Sequence, residues 1–189
     1  MNNPILQRLN ADHKHIAKVM YCLRAQIKGF DDPDMEPNIS QIMDILDFIS
    51  TFPERWHHPV EDVVFRKLME KNPPHPEQIR AVLREHEDLE RITQELKTAF
   101  ERVAMDIAVP IAHLYKTTTI YLSRQMLHLD AEESVLFPLV EDYLEEDDWA
   151  DVEEEVDRVF GDPDDLAKQE YDHLLSSILN FDAHFSSTD

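Results

Sequence analysis

Apolar residues recur at helical spacing through four long stretches of this chain, and prolines rather than glycines separate them. Ile5, Leu9, Ile16, Val19, Met20, Leu23 and Ile27 form the first stripe. Their spacing predicts a helix from about Pro4 to Lys28, ended by Gly29 and the DDPDMEP stretch. A second stripe runs through Ile42, Ile45, Leu46, Ile49, Phe52, Trp56, Val60, Val64 and Leu68, so a second helix is expected from near Ser40 to the NPPHP segment at 72–76. The third is expected from Pro76, a residue type suited to a first helical turn, to about Val103. The fourth is expected from near Pro110 to about Leu144. Only two glycines stand against eleven prolines, and glycine-rich turns are the punctuation of sheet proteins. No strand-like alternation is visible. Long helices with short connections predict an all-α chain folded as an antiparallel up-down-up-down four-helix bundle over residues 1–146. Residues 147–189 then read as an acidic connector with a short helix, followed by a C-terminal helix packing on the bundle.

Charge narrows the partners. The formal net charge is −22 over 189 residues, which repels phosphate backbones and anionic head groups. Nucleic acid and membrane surfaces are not expected partners. The single cysteine, Cys22, permits neither an internal disulfide nor a CxxC motif, and reads as a small buried residue. The first residues lack a basic start followed by an apolar run, and no stretch approaches a membrane span. A cytoplasmic protein is expected.

Ten histidines are present, and four of them fall into a repeat. His57 is followed four residues later by Glu61, and His128 by Glu132. An acid comes directly after each glutamate, Asp62 and Glu133. Apolar residues follow three and four places beyond it, Val64 and Phe65 in one copy, Val135 and Leu136 in the other. Upstream, LNADHKHI around His13 matches VLREHEDL around His86: an apolar residue, two others, an acid, the histidine, two others, an apolar residue. His13 and His57 are 44 residues apart, and His86 and His128 are 42 apart. The chain therefore reads as two helix pairs, each with one lone histidine and one HxxxE.

That pattern suits a metal. Residues four apart on a helix lie about 40° apart around the axis and about 6 Å apart along it, so their side chains can converge. One HxxxE on an acidic helix is ordinarily a solvated ion pair. Two matched copies with two matched histidines are not, because six such groups buried together demand a cation. Imidazole suits iron, zinc and copper, and carboxylate favours harder ions such as iron and manganese. With Glu61 and Glu132 bridging two metals, His13 and His57 would hold one, and His86 and His128 the other. An oxo or hydroxo bridge would add a ligand to each and leave open positions for a small molecule.

The other histidines sort by position. His15 is about 200° around the helix from His13, and His113 lies roughly 22 Å along the helix from His128, so neither is expected to ligate. His58 is about 100° from His57, and its counterpart in the second copy is Leu129. It is retained as a supporting residue that lines the site. His75 is expected in a solvent-exposed loop, and His173 and His184 as surface or packing residues. Glu90, four after His86, ranks below the six ligands because Ala17 occupies the matching position after His13. Tyr121, Phe65 and Phe137 are expected in the core.

The stretches NADHKHI, WHHPVEDVVF, LREHEDL and HLDAEESVLFPL together resemble the hemerythrin-like family, also called the HHE cation-binding domain. The resemblance covers residues 9–140. It implies an antiparallel four-helix bundle holding two non-haem irons, with zinc or manganese as lesser candidates. By matching position it implies His13, His57, Glu61, His86, His128 and Glu132 as ligands. The sequence departs from the oxygen-carrying members, which have HxxxH on the third helix and HxxxxD on the fourth. Here position 90 is glutamate and the last pair is HxxxE. The pattern is closer to iron-centre repair proteins of nitrosative stress and to an iron-sensing domain of an F-box protein. The paired-cysteine segment of many repair proteins is missing.

The expected function is a di-iron protein that binds, senses or handles dioxygen, nitric oxide or iron. Two alternatives stand beside it. One is a di-iron redox enzyme of peroxidase or nitric-oxide-related type; the other is a structural or interaction protein with a stabilising metal. Pro59, between the histidines and the glutamate, lacks an N–H and crowds the carbonyl of Arg55, so a local bend is expected beside the site.

Overall fold

The first helix begins where the sequence supplies its cap. In a computed structural model, which describes residues 3–32, 34–160 and 171–180, the Asn3 side chain accepts a hydrogen bond from the Ile5 N–H at 2.8 Å. Pro4 then opens helix α1, Pro4–Lys28, as its missing N–H has no partner to lose there. Gly29 ends it at a close approach, since a Cβ there would meet the Pro37 nitrogen at 2.9 Å. Asn38 caps α2, Ile39–Ile49, by accepting from the Gln41 N–H at 3.0 Å. A π-helical turn, Pro53–His57, leads into α3, His58–Glu70. Helix α4 spans Pro76–Ala104, and α5 spans Ile111–Ala131. A second π turn, Glu132–Leu136, leads into α6, Phe137–Tyr143, and α7 follows at Glu146–Phe160. Residues 171–180 are also helical, and no strand occurs among the described residues.

The second and fourth expected helices are thus each interrupted. In both interruptions the turn widens: the His58 N–H bonds to the Pro53 carbonyl, and the Phe137 N–H to the Glu132 carbonyl, five residues back. Each π turn ends two residues before a proline, Pro59 or Pro138. Proline removes a helical N–H and pushes against the carbonyl four residues earlier, and a wider turn just upstream relieves that crowding. The bend expected at Pro59 is therefore a π turn; the second helix pair has one as well, but later in its copy of the repeat, beginning at Glu132 instead of ending at the histidine.

Burial divides into two apolar regions. Leu6 and Leu9 of α1, Val64 and Phe65 of α3, Ile79 and Val82 of α4, and Phe137 and Val140 of α6 form one. Ile16 and Leu23 of α1, Ile45 and Phe48 of α2, Leu96 and Phe100 of α4, and Leu114 and Tyr121 of α5 form the other. His13 lies between Leu9 and Ile16 on α1, and His86 between Val82 and Leu89 on α4, so a polar layer separates the two regions. Helix α7 closes one end by burying Trp149 and Val152 against α3. The ion pairs Lys67–Asp151 at 2.6 Å and Lys71–Asp148 at 2.7 Å line its edge. The buried tryptophan and valine supply the apolar part of the attachment, and the buried Asp148 ties its first turn to α3 and the residue that follows it. Leu175 and Ile178 of the 171–180 helix join the other region. No helix among the described residues is long and apolar enough to cross a membrane.

Candidate metal centre

The polar layer draws on both copies of the repeat. His13, His57, Glu61, His86, His128 and Glu132 are all buried, and both glutamates have no solvent exposure. Helical spacing brings each HxxxE pair together: His57 Nε2 lies 3.2 Å from Glu61 Oε1, and His128 Nε2 lies 3.3 Å from Glu132 Oε1. The lone histidines reach in from α1 and α4. His13 Nε2 lies 3.1 Å from Glu61 Oε1 and 3.5 Å from Glu132 Oε2. His86 Nε2 lies 3.3 Å from Glu132 Oε1 and 3.6 Å from Glu61 Oε2. Glu61 therefore turns one oxygen to His13 and His57 and the other to His86. Glu132 turns one to His13 and the other to His86 and His128. Each carboxylate spans both histidine pairs, which is the geometry a bridging ligand requires.

A ring of acids surrounds this layer. His13 Nδ1 lies 3.0 Å from Glu133 Oε1, and His86 Nδ1 lies 2.7 Å from Asp62 Oδ1. His128 Nδ1 lies 3.2 Å from Glu85 Oε2, and His57 Nδ1 lies 3.4 Å from Asp12 Oδ2. An ionised carboxylate only accepts, so each Nδ1 carries a proton and each Nε2 is turned inward. Carboxylate contacts of this kind fix the ring orientation and tautomer of metal-binding histidines. The ring has approximate two-fold symmetry. The acid before each lone histidine holds the HxxxE histidine of its own helix pair. The acid after each glutamate holds the lone histidine of the other pair. The sequence displayed these four acids as part of the repeat. Their purpose emerges only when the helices pack, because every one acts across helices.

Electrostatics match a site built for cations. Burial alone would lower the His57 pKa, but the carboxylates of Glu61, Asp12 and Glu132 outweigh it and push it up to about 10. Burial likewise opposes charge on His86, and Asp62, Glu132 and Glu61 raise it to about 9. Burial would raise Glu61, yet His57 and His13 hold it well below the usual carboxylate range. Five inward atoms have no hydrogen-bond partner: Nε2 of His57, His58 and His128, and one oxygen each of Glu61 and Glu132. His57 Nε2 is close to Glu61, but the pair is not aligned to bond. Buried polar atoms left unpaired are costly, and a cation would satisfy all five.

His58 belongs to the same layer, although the sequence reading gave it only a supporting place. It is buried, stacked on His86 with ring centroids 4.4 Å apart, and edge-on to His128 at 5.6 Å. One potential donor atom from each of His58, Glu61, His86 and His128 falls within 4.8 Å of the others, and the same holds for His13, His57 and Glu61. Burial, reinforced by the facing imidazoles, keeps the His58 pKa well below its ordinary value and the ring neutral. Adjacent residues on a helix point about 100° apart, which ranks His58 below His57, but the layer is wide enough to take both rings. The π turn ends at His57 and α3 begins at His58, and both rings face inward across that junction.

The remaining candidates lie elsewhere. His75, His113 and His173 are exposed, and so is Glu90. His15 is half-buried, with Nδ1 3.5 Å from the Tyr171 hydroxyl. His184 lies outside the described residues. Cys22 and Phe65 are buried in the core. Tyr121 is buried too, and its hydroxyl accepts a hydrogen bond from Thr93 at 3.3 Å. Phe137 both packs in the core and stacks on the His13 ring at 5.1 Å, so it shields the layer from water on that side.

No curated protein and no solved structure matches the chain. The family model described as the hemerythrin HHE cation binding domain matches residues 4–140. That span holds both helix pairs, both HxxxE motifs and all four outer acids, and the chain belongs to the hemerythrin HHE cation-binding domain family.

Proposed function

We propose that this chain is a non-haem di-iron protein that binds, senses or handles dioxygen, nitric oxide or iron. One observation carries the reading: Glu61 and Glu132 each present separate oxygens to both histidine pairs in a fully buried layer. On this reading His13 and His57 would hold one iron and His86 and His128 the other, with Glu61 and Glu132 as carboxylate ligands within reach of both. Iron there would supply a redox change and coordination positions open to a diatomic ligand. The protein's own part is positioning. Asp12, Asp62, Glu85 and Glu133 hold the rings, and the apolar regions on either side keep water out. Membership of a cation-binding family supports a metal, and the mixed imidazole–carboxylate donor set suits iron, with zinc or manganese as lesser candidates.

The reading goes with an up-down-up-down bundle over residues 1–146 and an acidic connector and closing helix over 147–189. It also goes with a cytoplasmic protein that, at a net charge of −22, avoids nucleic acid. Anaerobic loading with ferrous iron, followed by dioxygen or nitric oxide, tests it. Two irons per chain and a new absorption band on gas addition are expected. Absence of stoichiometric iron together with an unchanged spectrum would refute it.

A further inference from the structure

We infer that His58 is a seventh metal ligand, so that the two metal positions are unequal and fill one after the other. The inference rests on the metal reading above and concerns how that site is divided. His58 is 5% exposed, and its Nε2 has no hydrogen-bond partner. Its ring lies nearly parallel to His86, with an interplanar angle of 8°, and a donor atom of His58 is within 4.8 Å of donors on Glu61, His86 and His128. A buried imidazole nitrogen without a partner is a cost that packing alone does not explain. Coordination of a cation removes that cost.

His58 also breaks the symmetry of the repeat. Every other element of the layer has a mate: His13 with His86, His57 with His128, Glu61 with Glu132, Asp12 with Glu85, and Asp62 with Glu133. The mate of His58 is Leu129, buried among apolar side chains. One position therefore gathers three imidazoles, from His58, His86 and His128, and the other gathers two, from His13 and His57. Both share the two bridging carboxylates. A third imidazole, buried and within reach of the same donors, adds a ligand to its position and strengthens it. The three-histidine position fills first.

Cobalt(II) is a suitable probe because its visible spectrum and its paramagnetic shifts report ligand number. Titration of the full chain is expected to show two steps, the first at least about 10-fold tighter, the size of effect that changes around a metal site typically produce. At saturation, five shifted imidazole ring systems are expected. His58→Leu, which copies Leu129, is expected to merge the two steps, alter the spectrum of the first cobalt and remove one shifted ring. Four shifted rings in the wild-type protein would overturn the assignment, whatever the variant does. So would a His58→Leu protein whose two steps and spectra match the wild type. A wild-type chain that binds no stoichiometric cobalt would overturn the metal reading itself, a result distinct from the other two.

Discussion

Metal uptake should release protons, and the amount follows from the electrostatics of the layer. In the metal-free folded protein, His57 titrates at about 10 and His86 at about 9. Both are therefore protonated at neutral pH, and both must lose the Nε2 proton to bind a cation. Glu61 is already ionised and His58 already neutral, so neither adds to the count. His57 and His86 should together contribute about two released protons near pH 7, which makes the overall affinity rise by at least about 100-fold per pH unit. That is about 3 kcal/mol per pH unit, and the dependence should flatten above about pH 10, where both rings are neutral beforehand. The sign is fixed: rising pH favours the metal. Competition against a chromophoric chelator at about pH 6.5, 7.5 and 8.5 gives the slope, since these values bracket the region between an ordinary histidine and the raised ones. Proton release can be read independently with an indicator dye in weak buffer. A slope near zero with no released protons would refute the assignment of His57 and His86 as charged in the metal-free state.

The same shifts predict how the chelator-treated protein behaves alone. Its two raised imidazoles contribute stability that is fully present below about 6.5 and lost as pH rises through about 9 to 10, so its melting temperature should fall over that range. The loaded protein should not show this fall. Asp62→Asn weakens the contact that orients His86 at 2.7 Å, and metal affinity should drop about 10- to 100-fold by chelator competition, with helix content by circular dichroism unchanged. Phe100→Ala, in the apolar region away from the layer, should cost about 3–5 kcal/mol in urea unfolding while metal stoichiometry stays the same. Pro59→Ala restores an N–H and lets the preceding turn tighten, so metal affinity should fall as His57 rotates. Unchanged affinity and spectrum in that variant would leave the proline as a tolerated kink.

Much of this molecule is written at the scale of one helical turn. The apolar stripe of α1 and its bounds at Pro4 and Lys28 follow from periodicity and capping, which depend on neighbours three and four residues away. The HxxxE pairs are legible for the same reason: their two members sit on one helix face. The repeat also marked His13 and His86, and it displayed the four outer acids without revealing their use. What packing decided is every relation that crosses helices. Asp62 serves His86 and Glu133 serves His13, contacts between residues 24 and 120 apart in the chain. The two π turns were hidden as well, because a helical stripe of side chains does not report which carbonyl each N–H reaches. His58, which spacing placed only at the edge of the site, is buried within the layer once the helices pack around it. The sequence by itself determined a helical chain with a duplicated set of histidines and glutamates. Only the tertiary structure decided which imidazoles meet, because ligand geometry depends on helix register and backbone winding, and neither is encoded within a single turn.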